Sequence, residues 1–261
     1  MGRLEQLHML NHTLLADMPA YQKQAEAFPD HEQAQWQLFR SLVNVREPGD
    51  MSEEFYLLQD LFLQREIAAK GITCWRNLSS RQDGISLWKG DITTLEADAI
   101  VNAANSGMTG CYHPCHGCID NAIHTYAGIQ LRKVCADLMA QQGCPEPTGY
   151  AKITPAFNLP SGYVIHTVGP IVQGRLTQQH KELLASCYRS CLKLADENSL
   201  ESIAFCCIST GEFHFPNEEA AQIALHEVQA YHRSGGQCHV IFNVFHDKDW
   251  YIYDRLLKEQ E

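Results

Sequence analysis

No apolar run in this 261-residue chain approaches the roughly 20 residues that a membrane-spanning helix needs. Its first ten residues, MGRLEQLHML, lack the apolar stretch and small-residue cleavage site of a secretory leader. Both absences predict a cytoplasmic protein with no membrane partner. Positive charge is scarce as well: 20 Lys and Arg stand against 31 Asp and Glu, a formal net charge of −11. Affinity for long nucleic acid rests mainly on cations that neutralise phosphates, so nucleic acid is not an expected partner. A small anion stays compatible, because backbone amides at a helix N-terminus hold a diphosphate whatever the global charge. The chain has no internal repeat or low-complexity tract, and its 45% hydrophobic and 20% charged residues are those of a globular protein. Cysteine is not scarce. There are 11, an odd number that excludes a complete disulfide framework, and Cys187, Cys191, Cys206 and Cys207 lie in apolar surroundings where they read as small buried hydrophobes.

Residues 1–72 have helical periodicity and few strand formers. Apolar positions recur at helical intervals across 3–17, 30–45 and 52–72, as in Phe55, Leu58, Leu61 and Phe62. Ser52 before Glu53 and Glu54 supplies an N-cap with acids in the first turn. This predicts a helical extension of about three helices that packs on the remainder and covers a face or edge of its sheet. In residues 73–261, strands at 85–88, 97–101, 151–154, 163–168, 203–208 and 239–245 alternate with helices at 119–141, 178–198, 217–233 and 249–258. The economical fold is α/β, a mixed, mostly parallel sheet sandwiched between helices.

Two segments that follow strands carry unusual chemistry. After 97–101 come Asn102 and Asn105 around two alanines, then Cys111, His113, Cys115, His116 and Cys118, then Asp120 at the start of a helix. Thiolate and imidazole so closely spaced are what tetrahedral zinc takes, either as a closed Cys₃His site or as three ligands with an open vertex. Fortuitous clustering of free thiols is the bland alternative, and Cys118 as a nucleophile activated at a helix N-terminus is a third. After 203–208 come Ser209, Thr210, Gly211, Glu212 and Phe213. Their hydroxyls and amides could wrap a diphosphate, or serve as an ordinary cap and turn. Asp91, after Gly90 at a strand end, suits an exocyclic amine such as that of adenine, or else caps its own turn. If the two strands lie side by side and parallel, both loops rise from one sheet edge and make one cleft.

The motifs in order resemble the macrodomain family from about Trp88 to about Leu257. Lys89-Gly90-Asp91-Ile92-Thr93, then Asp98 to Ser106 read as DAIVNAANS, look like the opening of a MacroD-type domain, and Ile119-Asp120-Asn121-Ala122-Ile123-His124 with Ala127-Gly128 is similar to its V-D-G-x-I-H-x-x-A-G. Gly149-Tyr150-Ala151, Val164 to Pro170 and Ile208 to Gly211 match further blocks. Where MacroD-type enzymes carry a glycine run before the catalytic aspartate, this chain has a longer segment, Gly110 to Cys118, that fits G-C-x-x-P-x-H-x-C-I-D-N at every specified position. That pattern marks the zinc-containing ADP-ribosylhydrolase branch.

The resemblance implies one zinc ion per chain on Cys111, His116 and Cys118, with Cys115 at a variable position as a possible fourth ligand. It implies Asp120 as the catalytic aspartate, with Asn105 orienting the distal ribose; Asn102 is a further ligand-site candidate from its place just past the strand end, where at least one of the two carboxamides can face a ligand. It places the adenine end at Asp91 and Ile92, with Asn243 and Phe245 contributing, and the diphosphate at Ser209, Thr210, Gly211, Glu212 and Phe213. The implied reaction removes mono-ADP-ribose from acidic side chains of an ADP-ribosylated protein. The implied partners are a glycine-cleavage H-like lipoyl carrier protein as substrate and a sirtuin-type ADP-ribosyltransferase as counterpart. A non-catalytic ADP-ribose reader with a structural zinc is the alternative. A two-metal nucleotide hydrolase would need a second cluster of acids and His that the sequence does not show.

Overall fold

The structure, a computed structural model, describes residues 1–259. Its N-terminal region forms α1 (Arg3–Asp17), the one-turn α2 (Gln22–Ala25), α3 (Glu32–Val45) and α4 (Glu53–Lys70). Ser52 caps α4, its side chain accepting from the N–H of Phe55. The extra helix follows a 3-10 turn that starts at Pro19, where the fixed proline φ suits a helical first position. Leu7, Leu10, Leu14, Phe39, Phe62 and Leu63 make a core of their own, to which the later chain adds Ile129.

The second part runs β1 (Thr73–Cys74), β2 (Ser80–Gln82), β3 (Ile85–Lys89), β4 (Leu95–Glu96), β5 (Ala99–Ala104), α5 (Ile119–Ala127), α6 (Ile129–Gln142), β6 (Ala151–Pro155), β7 (Tyr163–Val168), α7 (Gln178–Glu197), β8 (Ser202–Phe205), α8 (Asn217–Arg233), β9 (His239–Val244) and α9 (Asp247–Lys258). Seven strands form one sheet in the order β2-β3-β9-β8-β5-β7-β6. The five inner strands are parallel, and β2 and β6 are antiparallel edges. Inner strands read as continuous apolar runs because helices cover both faces. Ile100, Val101, Ile165, Ile203, Ile241 and Phe242 are among the buried residues of that core. β1 and β4 pair only with each other.

The expected helix over 119–141 is two helices. Gly128 breaks it at φ 96°, a backbone conformation that favours glycine, with the side-chain ends of Gln130, Gln59 and Asn158 crowded where a Cβ would stand. Gln59 accepts from the N–H of Ile129 at 3.1 Å and thereby caps α6 from outside. The N-terminal helices pack on the remainder of the chain, as expected, and Ile67 of α4 joins the core of the sheet. α3 and α4 pack on α5, and α4 on the 3-10 turn at Ile92–Thr94, so they form a layer outside α5 and α6. Among the described residues no helix is long and apolar enough to cross a membrane.

Candidate active site

β5 pairs with β7 along its whole length, from Ala99↔Tyr163 to Ala104↔Val168. With β8 it pairs only at Ala99↔Ile203 and Ile100↔Ala204. Past those positions the two parallel strands have no ladder between them, and the segments that follow both leave the carboxyl edge of the sheet. The chain goes outward from β5 to β6 and β7 on one side and returns to β8 and β9 on the other, which makes this a topological switch point where α/β folds bind ligands. The two loops meet there: His116 Nε2 lies 3.6 Å from Glu212 Oε1.

On the first loop the ligand atoms of Cys111, His116 and Cys118 lie within 4.8 Å of one another, and Cys111 Sγ is 3.8 Å from His116 Nδ1. Tetrahedral zinc with ordinary Zn–S and Zn–N bonds needs donors about 3.6–3.8 Å apart, so the three residues fit such an ion with little movement. Glu212 Oε1, 3.6 Å from the far ring nitrogen of His116, stands near where a carboxylate partner of a metal-binding imidazole is usual, without a hydrogen bond to it. Cys115 is not in the group. Its Sγ lies 3.3 Å from Ser41 Oγ and 3.5 Å from the Gln37 carbonyl, facing α3. Cys118 caps α5, its Sγ accepting from the Asn121 N–H at 3.4 Å. Burial, reinforced by Cys111 and Asp120, pushes its thiol up to about 12.

Asp120 follows in the first turn of α5 and is 5% exposed. Asn102 Nδ2 donates to its Oδ1 at 2.8 Å and Asn105 Nδ2 to its Oδ2 at 3.4 Å. Burial pushes the carboxyl up to about 6, against the Asn102 amide and the Arg132 charge. Asn102 does not reach a ligand directly as expected. It is 0% exposed, because its register partner on β7 is His166, and its Nδ2 lies 3.1 Å from His166 Nδ1. Its place is behind Asp120. Asn105 is half-buried at the mouth and also holds the Gly110 carbonyl at 3.1 Å.

His124 was quoted above only as part of a motif. It stands one turn after Asp120, with Nε2 3.5 Å from Oδ1. Burial, with His166 and Arg132 nearby, holds it far below the usual histidine value and therefore neutral. The i,i+4 spacing was the available signal.

The second loop turns tightly on Ser209, whose φ is 64°. Ser209 Oγ is buried without a hydrogen-bond partner. Among the described residues the N–H groups of Gly211, Glu212 and Phe213 are also unpartnered, a row of donors suited to an anion. A Cβ on Gly169, after β7, would lie 2.0 Å from Ser209 Oγ, so only glycine lets the two segments close on each other. At the other end of the cleft Asp91 caps its own turn, accepting from the Thr93 N–H at 3.0 Å, and pairs with Lys70 at 2.7 Å. Burial alone would raise its carboxyl, but Lys70 and Thr93 outweigh it and hold it below the usual value. The Ile92 side chain is in the core. Asn243 Nδ2 donates to the Gly90 carbonyl at 2.9 Å, and Phe245 is 67% exposed past β9.

A mostly parallel α/β sheet with a crevice at its switch point, a turn with unpartnered amides after one strand and a buried carboxylate after the next has the architecture of a macrodomain. The sequence profile of the Macro domain matches residues 101–224. A protein-ADP-ribose hydrolase of Treponema medium is 54% identical over 94% of this chain and 95% of its own. Among solved structures, an Oceanobacillus iheyensis macrodomain with ADP has TM-score 0.63 and 39% identity, over 67% of this chain and 90% of that one. A Trypanosoma brucei macrodomain in complex with ADP-ribose has TM-score 0.65 and 29% identity, over 84% of this chain and 94% of that one. The chain belongs to the macrodomain family.

Proposed function

We propose that this chain is a zinc-dependent hydrolase that removes mono-ADP-ribose from acidic side chains of proteins and releases free ADP-ribose. The observation that carries it is the placing of three zinc-type donors, Cys111, His116 and Cys118, immediately before the buried Asp120 at the mouth of the cleft. The relative named protein-ADP-ribose hydrolase, similar over nearly the whole chain, supports the reaction class. The acidic linkage and the metal rest on the resemblance and on the donor set.

In this reading the diphosphate lies on the unpartnered amides of Gly211 to Phe213, with adenine toward Asp91 and Phe245 and the distal ribose toward Asn105. Zinc, held by Cys111, His116 and Cys118, supplies Lewis acidity at that end. Asp120 accepts the proton of the attacking water as its oxygen bonds C1″. The bond from C1″ to the side-chain oxygen breaks, and its electron pair stays with the departing protein carboxylate. Asn102 and Asn105 hold the Asp120 carboxylate in place through one oxygen each, and neutral His124 behind it leaves Asp120 as the base of the pair. A reader of ADP-ribose would use the same cleft, but with a closed four-ligand zinc. Cys115, turned to α3, leaves three ligands in the group.

Rates of ADP-ribose release from a protein modified at Asp or Glu, set beside the same protein modified at Arg, test the substrate class. Fast release from the acidic linkage only is expected, and equal rates would contradict it.

A further inference from the structure

The metal-candidate loop has little backbone structure of its own. Among the described residues, positions 109–117 make one backbone-to-backbone hydrogen bond, from His116 N–H to the His113 carbonyl at 3.2 Å. Its other backbone groups that find partners find them in side chains outside the loop. Arg40 of α3 donates from Nη2 to the His116 carbonyl at 2.8 Å and to Asn121 Oδ1 at 2.7 Å. Asn121, so held, donates to the His113 carbonyl at 3.0 Å. Asn44 of α3 accepts from the Cys115 N–H at 2.9 Å, which fixes a residue at φ 53°. Arg132 of α6 reaches the Cys111 carbonyl at 3.4 Å, and its own guanidinium is fastened by the carbonyls of Val43, Asn44 and Arg46 at the end of α3.

We infer that α3 is the template of the metal loop, with Arg40 a positioning residue that sets the distance between His116 and the two cysteines. The inference rests on the zinc reading above and adds to it a task for the N-terminal helices. Physically, a three-ligand site gains affinity when its donors are held apart at the metal's spacing before the ion arrives. A loop with one internal backbone hydrogen bond does not supply that rigidity by itself. Arg40 can, because its planar fork reaches a loop carbonyl and the α5 side chain that holds another loop carbonyl at the same time. Groups outside the ligand set that orient the ligands in this way are typically worth about 10- to 100-fold in metal affinity.

The test uses the full chain and measures zinc affinity by competition with a chromophoric chelator, together with the visible spectrum of the cobalt-substituted protein. Arg40→Ala is expected to weaken zinc retention by about 10- to 100-fold and to change the cobalt bands. Arg40→Lys, which keeps the charge but loses the fork, is expected to recover part of the affinity at most. Arg3→Ala is the control: Arg3 ties α1 to α4 through Glu66 at 2.7 Å and to the first residue of α3 through Glu32 at 3.3 Å, at the end of α3 away from Arg40 and Asn44, and has no bond to the loop. It should loosen the same helical layer and leave zinc affinity and cobalt spectrum unchanged. Wild-type affinity in Arg40→Ala, or an equal loss in Arg3→Ala, overturns the template role while leaving the zinc reading intact. A wild-type chain that takes up no stoichiometric zinc overturns both.

Discussion

The two loops that line the cleft are built in opposite ways. The β8–α8 loop ties itself together with its own backbone, through Thr210 N–H to Cys207, His214 N–H to Gly211 and Phe215 N–H to Ser209. It turns three amides outward as donors. The β5–α5 loop is tied down by side chains from α3, α5 and α6 and turns its own side chains inward as potential ligands. A loop held mainly by its own backbone, with one outside bond from the Val172 N–H to the Phe213 carbonyl, suffices for the anion binding proposed for it, where donors need only converge. The chemistry proposed for the first loop would need charged and metal-holding groups at set distances, and the side chains that fasten it come from the rest of the molecule.

The division predicts that changes in the first loop alter turnover and changes in the second alter affinity. Asp120→Ala breaks it most sharply: ADP-ribose release in a single turnover is expected to fall by about 10²- to 10⁴-fold, with calorimetric affinity for ADP-ribose close to wild type. Gly169→Ala should act on the other loop, since its Cβ would displace Ser209. An overpacking cost of about 1–3 kcal/mol is expected in thermal stability, with calorimetric ADP-ribose affinity weakened by the shifted Ser209 turn and zinc content unchanged by atomic absorption. Asn102→Ala removes the 2.8 Å hydrogen bond to Asp120. A loss of about tenfold in turnover at constant affinity is expected from one buried, charge-assisted bond. The smallest effect belongs to Lys70→Ala. Its pair with Asp91 is about a third exposed on both sides, so it is worth about 1 kcal/mol or less, and titration with ADP-ribose should show a change of no more than about fivefold.

The part of this that was legible in the sequence is the part written in local pattern. Inner strands such as Ile203 to Phe205 announce themselves as apolar runs, α4 by Ser52 and its periodicity, and the metal-candidate group by its spacing within one loop. Edge strand β2, Ser-Arg-Gln, has no apolar alternation to detect. The break at Gly128 is capped by Gln59, 69 residues earlier, and a helical repeat runs through such a glycine without notice. The inward turn of Asn102 follows from its β7 partner, and the outward turn of Cys115 from Ser41, neither of which leaves a trace in neighbouring residues. The separation of β5 from β8, which opens the cleft, is a property of the assembled sheet.

The most direct test of the zinc-assisted reading is single-turnover release of ADP-ribose from a protein modified at Asp or Glu, with the enzyme as purified and after a chelator has removed its zinc. The account predicts that release is lost on chelation and returns when zinc is added back, while far-ultraviolet circular dichroism and ADP-ribose binding stay the same. Release at an undiminished rate from protein shown to be free of zinc would contradict it.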